Sequence, residues 1–187
     1  LLLGLRPSES AEKLNHHTIL FPADYDAEFE AIFTQKKPVE SPTIYICAPS
    51  DPLMVKDAGH ESWFVLVNAP RHDESAKNGF DWRDENFKHK YANSIIDQIE
   101  ARDIKIRERL DVLEIRTPLD LQESVMAPGG SIYGTSSNSA SAAFLRTKNR
   151  SPIKNLFCVG GSTHPGGGLP LVGISSEIVA NAIGRAR

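Results

Sequence analysis

The chain is poor in cysteine and tryptophan, with two of each in 187 residues, and has no large excess of either charge: 21 Lys and Arg stand against 24 Asp and Glu, a net charge of −3. Two cysteines do not make a disulfide framework. Cys47 and Cys158 each sit in an apolar, strand-like run, which predicts two free, buried thiols in a reducing compartment. Without a basic block, no nucleic-acid partner is expected. No apolar run approaches the roughly 20 residues that span a bilayer, and no stretch has the pattern of a secretory leader. No metal site is expected either. His16 and His17 are neighbours in sequence, and neighbours on a strand point to opposite faces, so they cannot share one ion. His60, His72 and His89 fall in polar surroundings and read as surface residues.

What is present is ordinary globular composition, 40% hydrophobic and 24% charged, with strand and helix patterns intermixed. Residues 18–21, 43–48 and 61–69 read as strands, the last two as antiparallel neighbours. Residues 110–115 alternate apolar and acidic, the pattern of a half-buried strand. A short helix over about 24–33 carries acids in its first turn, where they suit the helix dipole. Asp81 reads as the cap of a longer helix that runs to about Arg102. Along it Phe87, Tyr91, Ile95 and Ile99 recur every four residues, with Ala92 and Ile96 beside them. Such a stripe suits a core, and would equally line an apolar tunnel. Trp63, Phe64 and Trp82 carry the same two readings. Thr117 and Pro118 open another helix as N-cap and first helical residue. Residues 127–143, rich in glycine, serine and alanine, read as irregular and closely packed.

Residues 156–183 are the most informative stretch. They read as a buried strand (156–160), a loop nearly free of side chains, and an amphipathic helix (173–184). The loop from Gly160 to Pro170 holds five glycines and two prolines in eleven residues. Backbone without Cβ atoms admits a flat or phosphorylated ligand closely, and a helix opening from it aims free N–H groups at that ligand. The loop is not a P-loop, since it lacks the Lys-Ser/Thr ending, and it does not carry the Gly-x-Gly-x-x-Gly fingerprint. Composition shifts near Pro152. Residues 1–151 are expected to form an α+β domain with an antiparallel or mixed sheet. Residues 152–187 supply one strand and one helix that cannot stand alone. Residues 1–5 read as the inside of an element, so the chain is expected to be the C-terminal portion of something longer.

The run Asn155-Leu156-Phe157-Cys158-Val159-Gly160-Gly161-Ser162-Thr163-His164-Pro165-Gly166-Gly167-Gly168-Leu169-Pro170 resembles the C-terminal signature of bacterial-type phytoene desaturases, the FAD-dependent carotenoid desaturases. Further similarities follow in order along most of the chain. They are His16-His17-Thr18-Ile19, Asp24-Tyr25, Glu28-Phe29 with Ile32-Phe33, Pro42-Thr43 with Tyr45, and Pro49-Ser50 before Asp51-Pro52. Beyond these come Thr117-Pro118 with Asp120-Leu121, Gly130-Ser131-Ile132-Tyr133-Gly134, and Arg150-Ser151-Pro152-Ile153.

This resemblance implies a two-domain flavoprotein, of which residues 1–151 are most of the substrate domain and residues 152–187 the last strand and helix of a Rossmann-like FAD-binding domain. It implies that the N–H groups of Gly160 and Gly161 contact the FAD pyrophosphate and ribityl region. His164, Pro165, Gly166, Gly167, Gly168 and Pro170 would lie along the isoalloxazine. The helix start, near Val172, Gly173 and Ile174, would point its positive end at the flavin N1–C2=O edge. The implied reaction takes a hydride and a proton from phytoene or its C30 analogue to leave a new double bond, with FAD as first acceptor. The implied partners are a long apolar polyene and, transiently, a membrane surface, for a cytoplasmic protein peripheral to the inner membrane. Oligomeric state is not specified. The fingerprint that holds the ADP half in the family does not occur in these residues, so weak FAD binding by this chain alone is expected. His164 is the one candidate catalytic residue, as a base or a flavin contact; its other reading is a ring hydrogen-bonded within the loop that fixes the turn before Pro165. Carotene isomerases, terminal-methyl oxidases and retinol saturases share these motifs. A non-enzymatic lipid- or partner-binding module is the alternative from a different class.

Overall fold

Five short runs pair into one antiparallel sheet: β1 (Leu2–Leu5), β2 (His17–Leu20), β3 (Ile44–Cys47), β4 (Glu61–Val67) and β5 (Leu110–Glu114), in spatial order β2-β3-β4-β1-β5. The structure is a computed structural model that describes residues 1–8, 13–55, 57–134 and 146–184. The chain divides into two compact units, Leu1–Gly130, which holds the sheet, and Ser131–Arg187. Strands β3 and β4 are antiparallel neighbours, as their β-forming runs predict. The apolar opening of the chain becomes β1, an inner strand paired on both sides, with Leu3 opposite Trp63 and opposite Leu113.

Alternation along the strands turns Leu3, Leu5, Ile44, Ile46, Trp63 and Val65 to one face. There they meet Ile95, Ile96 and Ile99 of α2 (Glu85–Glu100), followed by Ile104 and Ile106. Each fully buried side chain of this size contributes roughly 1.5–3 kcal/mol relative to exposure. The four-residue stripe of α2 is therefore core. Its N-terminal part, Phe87 and Tyr91, packs with the buried Trp82. Burial pushes the Tyr91 phenol well above its ordinary value, while its hydroxyl donates to the Val39 carbonyl at 2.9 Å.

Several local expectations are corrected. Asp84, not Asp81, caps α2, its Oδ1 accepting from the N–H groups of Asn86 and Phe87. Asp81 is instead gripped by the Arg83 guanidinium, which holds its carboxyl down at about 2. In β5 the apolar–acidic alternation is broken by a bulge: Val112 pairs with Gly4 and Leu110 with Leu5, which leaves Asp111 unpaired. The extra residue returns Leu110 and Leu113 to the core side and leaves Val112 exposed. Asp26 and Glu28 stand in the first helical turn as expected, and Glu28 is in addition buried, accepting from the Thr43 N–H and from Asn68 Nδ2, both at 2.8 Å. His72 is not on the surface. It is buried beside Trp82, whose N–H donates to its Nδ1 at 3.3 Å. Thr117 caps α3 (Pro118–Val125) as expected and forms a reciprocal capping box with Asp120.

Two surfaces of this unit stay bare among the described residues. On the sheet face opposite the core, register partners line up as the row His17, Cys47, Phe64, Leu2 and the row Ile19, Tyr45, Leu66. Ile19, Phe64, Leu66 and Leu2 are all exposed there. The second surface is an aromatic ladder. Phe21 precedes α1 (Asp26–Phe29), which continues as a π-helical turn (Glu30–Gln35). Phe21, Tyr25, Phe29 and Phe33 stand at four-residue spacing with successive ring centroids 5.9, 5.1 and 6.1 Å apart, each about half exposed. No described helix is long and apolar enough to cross a membrane. Both cysteines are free and half-buried.

Candidate functional site

The glycine-rich loop lies in the second unit, and its framework differs from the one expected. Residues 156–160 do not form a strand. A strand needs a continuous ladder, and the described residues offer one bridge, Arg150 to Phe157. Beyond it the pairing is irregular and uses both the main chain and the side chain of Asn149. The Cys158 N–H donates to the Asn149 carbonyl at 2.8 Å, and Asn149 Nδ2 reaches the Cys158 carbonyl at 3.1 Å. The terminal helix α4 (Leu169–Ile183) begins four residues earlier than expected. Pro170 does not delay it, because a proline in the first turn gives up only an N–H that has no intrahelical acceptor. Gly168 is the N-cap, at φ 96°, a conformation open to glycine and strained for other residues.

The helix mouth is consequently Gly168 and Leu169, with Leu171 supplying the next free N–H; the Val172 N–H already donates to the Gly168 carbonyl at 3.0 Å. Val172, Gly173 and Ile174 lie inside the helix rather than at its tip.

A buried polar hub holds the loop. Asn149, Thr163 and Ser175 are each under a tenth exposed. Asn149 Nδ2 lies 2.9 Å from the His164 carbonyl and 2.9 Å from Ser175 Oγ. Ser175 Oγ accepts from the Gly160 N–H at 3.2 Å, and Thr163 Oγ1 donates to the Gly160 carbonyl at 2.9 Å. Sequence reasoning missed all three residues. The available signal was a serine four residues before Val179, on the apolar face of the terminal helix.

The five glycines divide by what surrounds them. A Cβ on Gly167 would overlap the ring of Tyr133, and one on Gly161 would meet Gly167, Val172 and Tyr133. Gly166 is buried, and a Cβ there would contact Leu171 and the Arg146 guanidinium at 3.5–3.6 Å. Among the described residues Gly160 (φ 122°) and Gly168 have nothing within 4 Å of the Cβ position. Gly173, in helical conformation, also has nothing there. Arg146 Nη1 donates to the carbonyls of Tyr133 and Gly161 at 3.0 and 3.2 Å, and among the described residues it has no carboxylate partner. Tyr133 and Arg146 are the other functional candidates that sequence reasoning left out.

His164 is exposed and is held by its main chain. Its N–H donates to the Thr147 carbonyl at 2.9 Å, and its peptide bond to Pro165 is cis. Among the described residues the ring has no hydrogen-bond partner. The expectation that it is bonded within the loop therefore fails, and no acceptor orients it as a base. His16 and His17 are also corrected. Their ring centroids are 4.4 Å apart, because His16 sits in the bend ahead of β2, where strand alternation does not operate.

No protein-family model matches the chain. Over 94% of its length it is 40% identical to the 1-hydroxycarotenoid 3,4-desaturase of Flavobacterium sp. (strain P99-3), covering 35% of that protein. Over 98% it is 32% identical to the lycopene-forming phytoene desaturase of Paracoccus sp., covering 36%. Over 92% it is 32% identical to the 4,4'-diapophytoene desaturase of Staphylococcus haemolyticus, covering 34%. The chain spans about a third of the length of these relatives. These matches, running in order through the sheet unit and the glycine loop alike, make the chain a member of the phytoene-desaturase-type family of carotenoid desaturases.

Proposed function

We propose that this chain contributes to an FAD-dependent desaturase of carotenoid precursors, with the sheet unit in the substrate domain and the glycine loop and α4 closing a Rossmann-like FAD domain. The observation that carries the flavin reading is Gly173. A glycine inside a helix is about 1 kcal/mol less favourable than alanine, and here a Cβ would meet nothing among the described residues. Its absence is understandable if a ligand lies against the helix. Gly160 and Gly168 present the same bare backbone, and the mouth of α4 adds free N–H groups with the positive end of the helix dipole. FAD fits these donors. Bound there, it supplies a hydride acceptor, so that a hydride leaves one polyene carbon, a proton leaves its neighbour, and the bond between them becomes double.

The chain's own residues bind and orient. Asn149, Thr163 and Ser175 fix the loop, Tyr133 backs Gly167, and Arg146 holds a positive charge beside Gly166, which suits an anionic ligand. No residue of the chain is assigned as a catalytic base. Loss of a proton next to a developing carbocation needs only a weak one. The bare apolar sheet face suits a long polyene. The aromatic ladder suits transient contact with the membrane that stores such a substrate, since aromatic side chains favour the lipid–water interface. Desaturation is favoured over oxygenation by the 40% identical relative, which is named a 3,4-desaturase.

The test is to express the natural polypeptide carrying these residues in hosts that accumulate phytoene, diapophytoene or a 1-hydroxycarotene. The expected result is a yellow, flavin-containing protein and a carotenoid with additional double bonds in one of the hosts. A colourless protein indifferent to FAD overturns the flavin assignment, and flavin without any new product overturns the substrate class. Co-sedimentation with phosphatidylcholine vesicles, reduced in Phe29→Glu, tests the membrane contact.

A further inference from the structure

At the β2 edge of the open sheet face lies a cluster that the flavin reading does not use. We propose that His16, His17 and Cys47 bind a zinc-class divalent cation through two imidazole nitrogens and one thiolate. One ligand atom from each of the three residues lies within 4.8 Å of the other two. Strand pairing produces half of this arrangement, because His17 and Cys47 are register partners and share a face. The bend ahead of β2 produces the rest. It brings the His16 ring to 4.4 Å from that of His17, while the His16 carbonyl accepts from the Ala48 N–H at 2.9 Å.

Tyr45 completes the case. It lies two residues before Cys47 on the same face, and its Oη is 2.8 Å from His17 Nδ1. Imidazoles that ligate a metal ordinarily give their other nitrogen to an oxygen partner, which fixes ring and tautomer. With Nδ1 turned to Tyr45, Nε2 is the nitrogen left for an ion. Two nitrogens and a sulfur suit a borderline-soft ion such as zinc and not magnesium or calcium, which take oxygen ligands. Ligand atoms around tetrahedral zinc stand about 3.5 Å apart. Binding thus draws these side chains inward by roughly 1 Å, a rotamer-scale movement for two exposed histidines and a half-buried cysteine. The ion would clip β2, which among the described residues pairs with β3 alone, onto the sheet. This proposal does not depend on FAD.

The experiment uses the full 187-residue chain, stripped with a chelator and titrated with Co2+ and then Zn2+. One equivalent of Co2+ should give a thiolate-to-cobalt charge-transfer band in the near ultraviolet and the visible bands of a four-coordinate ion. Zn2+ should erase both and raise the melting temperature. Cys47→Ser should abolish the charge-transfer band, and His16→Ala or His17→Ala should each weaken binding at least about tenfold. Tyr45→Phe should weaken binding while keeping the band. Cys158→Ser should change nothing. Circular dichroism confirms that each variant is folded. A charge-transfer band absent from the unaltered chain, or one that survives Cys47→Ser, overturns the site.

Discussion

The two units are held together by opposite means. In the Leu1–Gly130 unit, six strand side chains and the isoleucines of α2 bury one another in one apolar cluster, and the buried polar residues Glu28, His72, Arg109 and Thr117 are not members of it. In the Ser131–Arg187 unit the buried side chains among the described residues are mostly polar, namely Asn149, Thr163 and Ser175, with Val179 the one buried apolar side chain beside them. Apolar burial is non-directional and tolerates change in the backbone around it. A hub of hydrogen bonds to main-chain atoms fixes a backbone path, and a cofactor loop needs a fixed path more than it needs burial. The contrast teaches which kind of substitution each unit should feel.

The largest effect belongs to the apolar unit. Ile96→Ala removes a fully buried side chain at the centre of the sheet–helix core and should cost about 2–5 kcal/mol. Denaturation followed by tryptophan fluorescence reads this directly, since both tryptophans, Trp63 and Trp82, lie in that unit. A loss under about 1 kcal/mol would mean that the core is not built as described.

Next comes the polar hub. Asn149→Ala takes the side-chain donor from the carbonyls of His164 and Cys158 and one partner from Ser175 Oγ and should cost about 1–3 kcal/mol, with loss of flavin from the natural holoprotein. Asn149→Asp, which keeps the shape but cannot donate, should behave like the alanine variant. Flavin content equal to wild type in both variants would break the comparison.

A cap in the apolar unit should matter less. Thr117→Ala opens the capping box of α3 and should cost about 1 kcal/mol. Burial pushes the Asp120 carboxyl up, but the Thr117 hydrogen bonds and Lys88 outweigh it and hold the group below its ordinary value. A carboxyl lowered by folding stabilises fully above its unfolded value and loses that contribution as pH falls through the folded one. The stability difference between wild type and Thr117→Ala should therefore narrow below the ordinary carboxylate range. An unchanged gap in acid would remove Asp120 from the cap.

The smallest effect on stability is the sharpest test of the contrast. Gly173→Ala fills open space in a helix and should raise stability by up to about 1 kcal/mol, while flavin retention falls. Improved folding with undiminished flavin would sink the argument drawn from Gly173. Gly160→Ala and Gly168→Ala are not informative in this way, because their positive φ strains any side chain whether or not a ligand is near.

Periodicity and local chemistry made much of the sheet unit legible in the sequence. The β3 and β4 strands, the α2 stripe and the Thr117 cap each depend on residues within a few positions of one another, or on one face of one element. The five glycines and Pro165 also marked an irregular loop, because their backbone consequences are intrinsic to those residues, whereas Pro170 lies in the first turn of α4. Tertiary structure alone decided what depends on partners far apart in the chain. The ladder that residues 156–160 lack, the bulge at Asp111, the burial of Glu28 and His72, and the hub joining Asn149 to Ser175 are of this kind. So is the meeting of His16 and His17 with Cys47. A side chain's own chemistry sets what it can bond to, but which group stands opposite it is fixed only when strands and loops distant in sequence are brought into register.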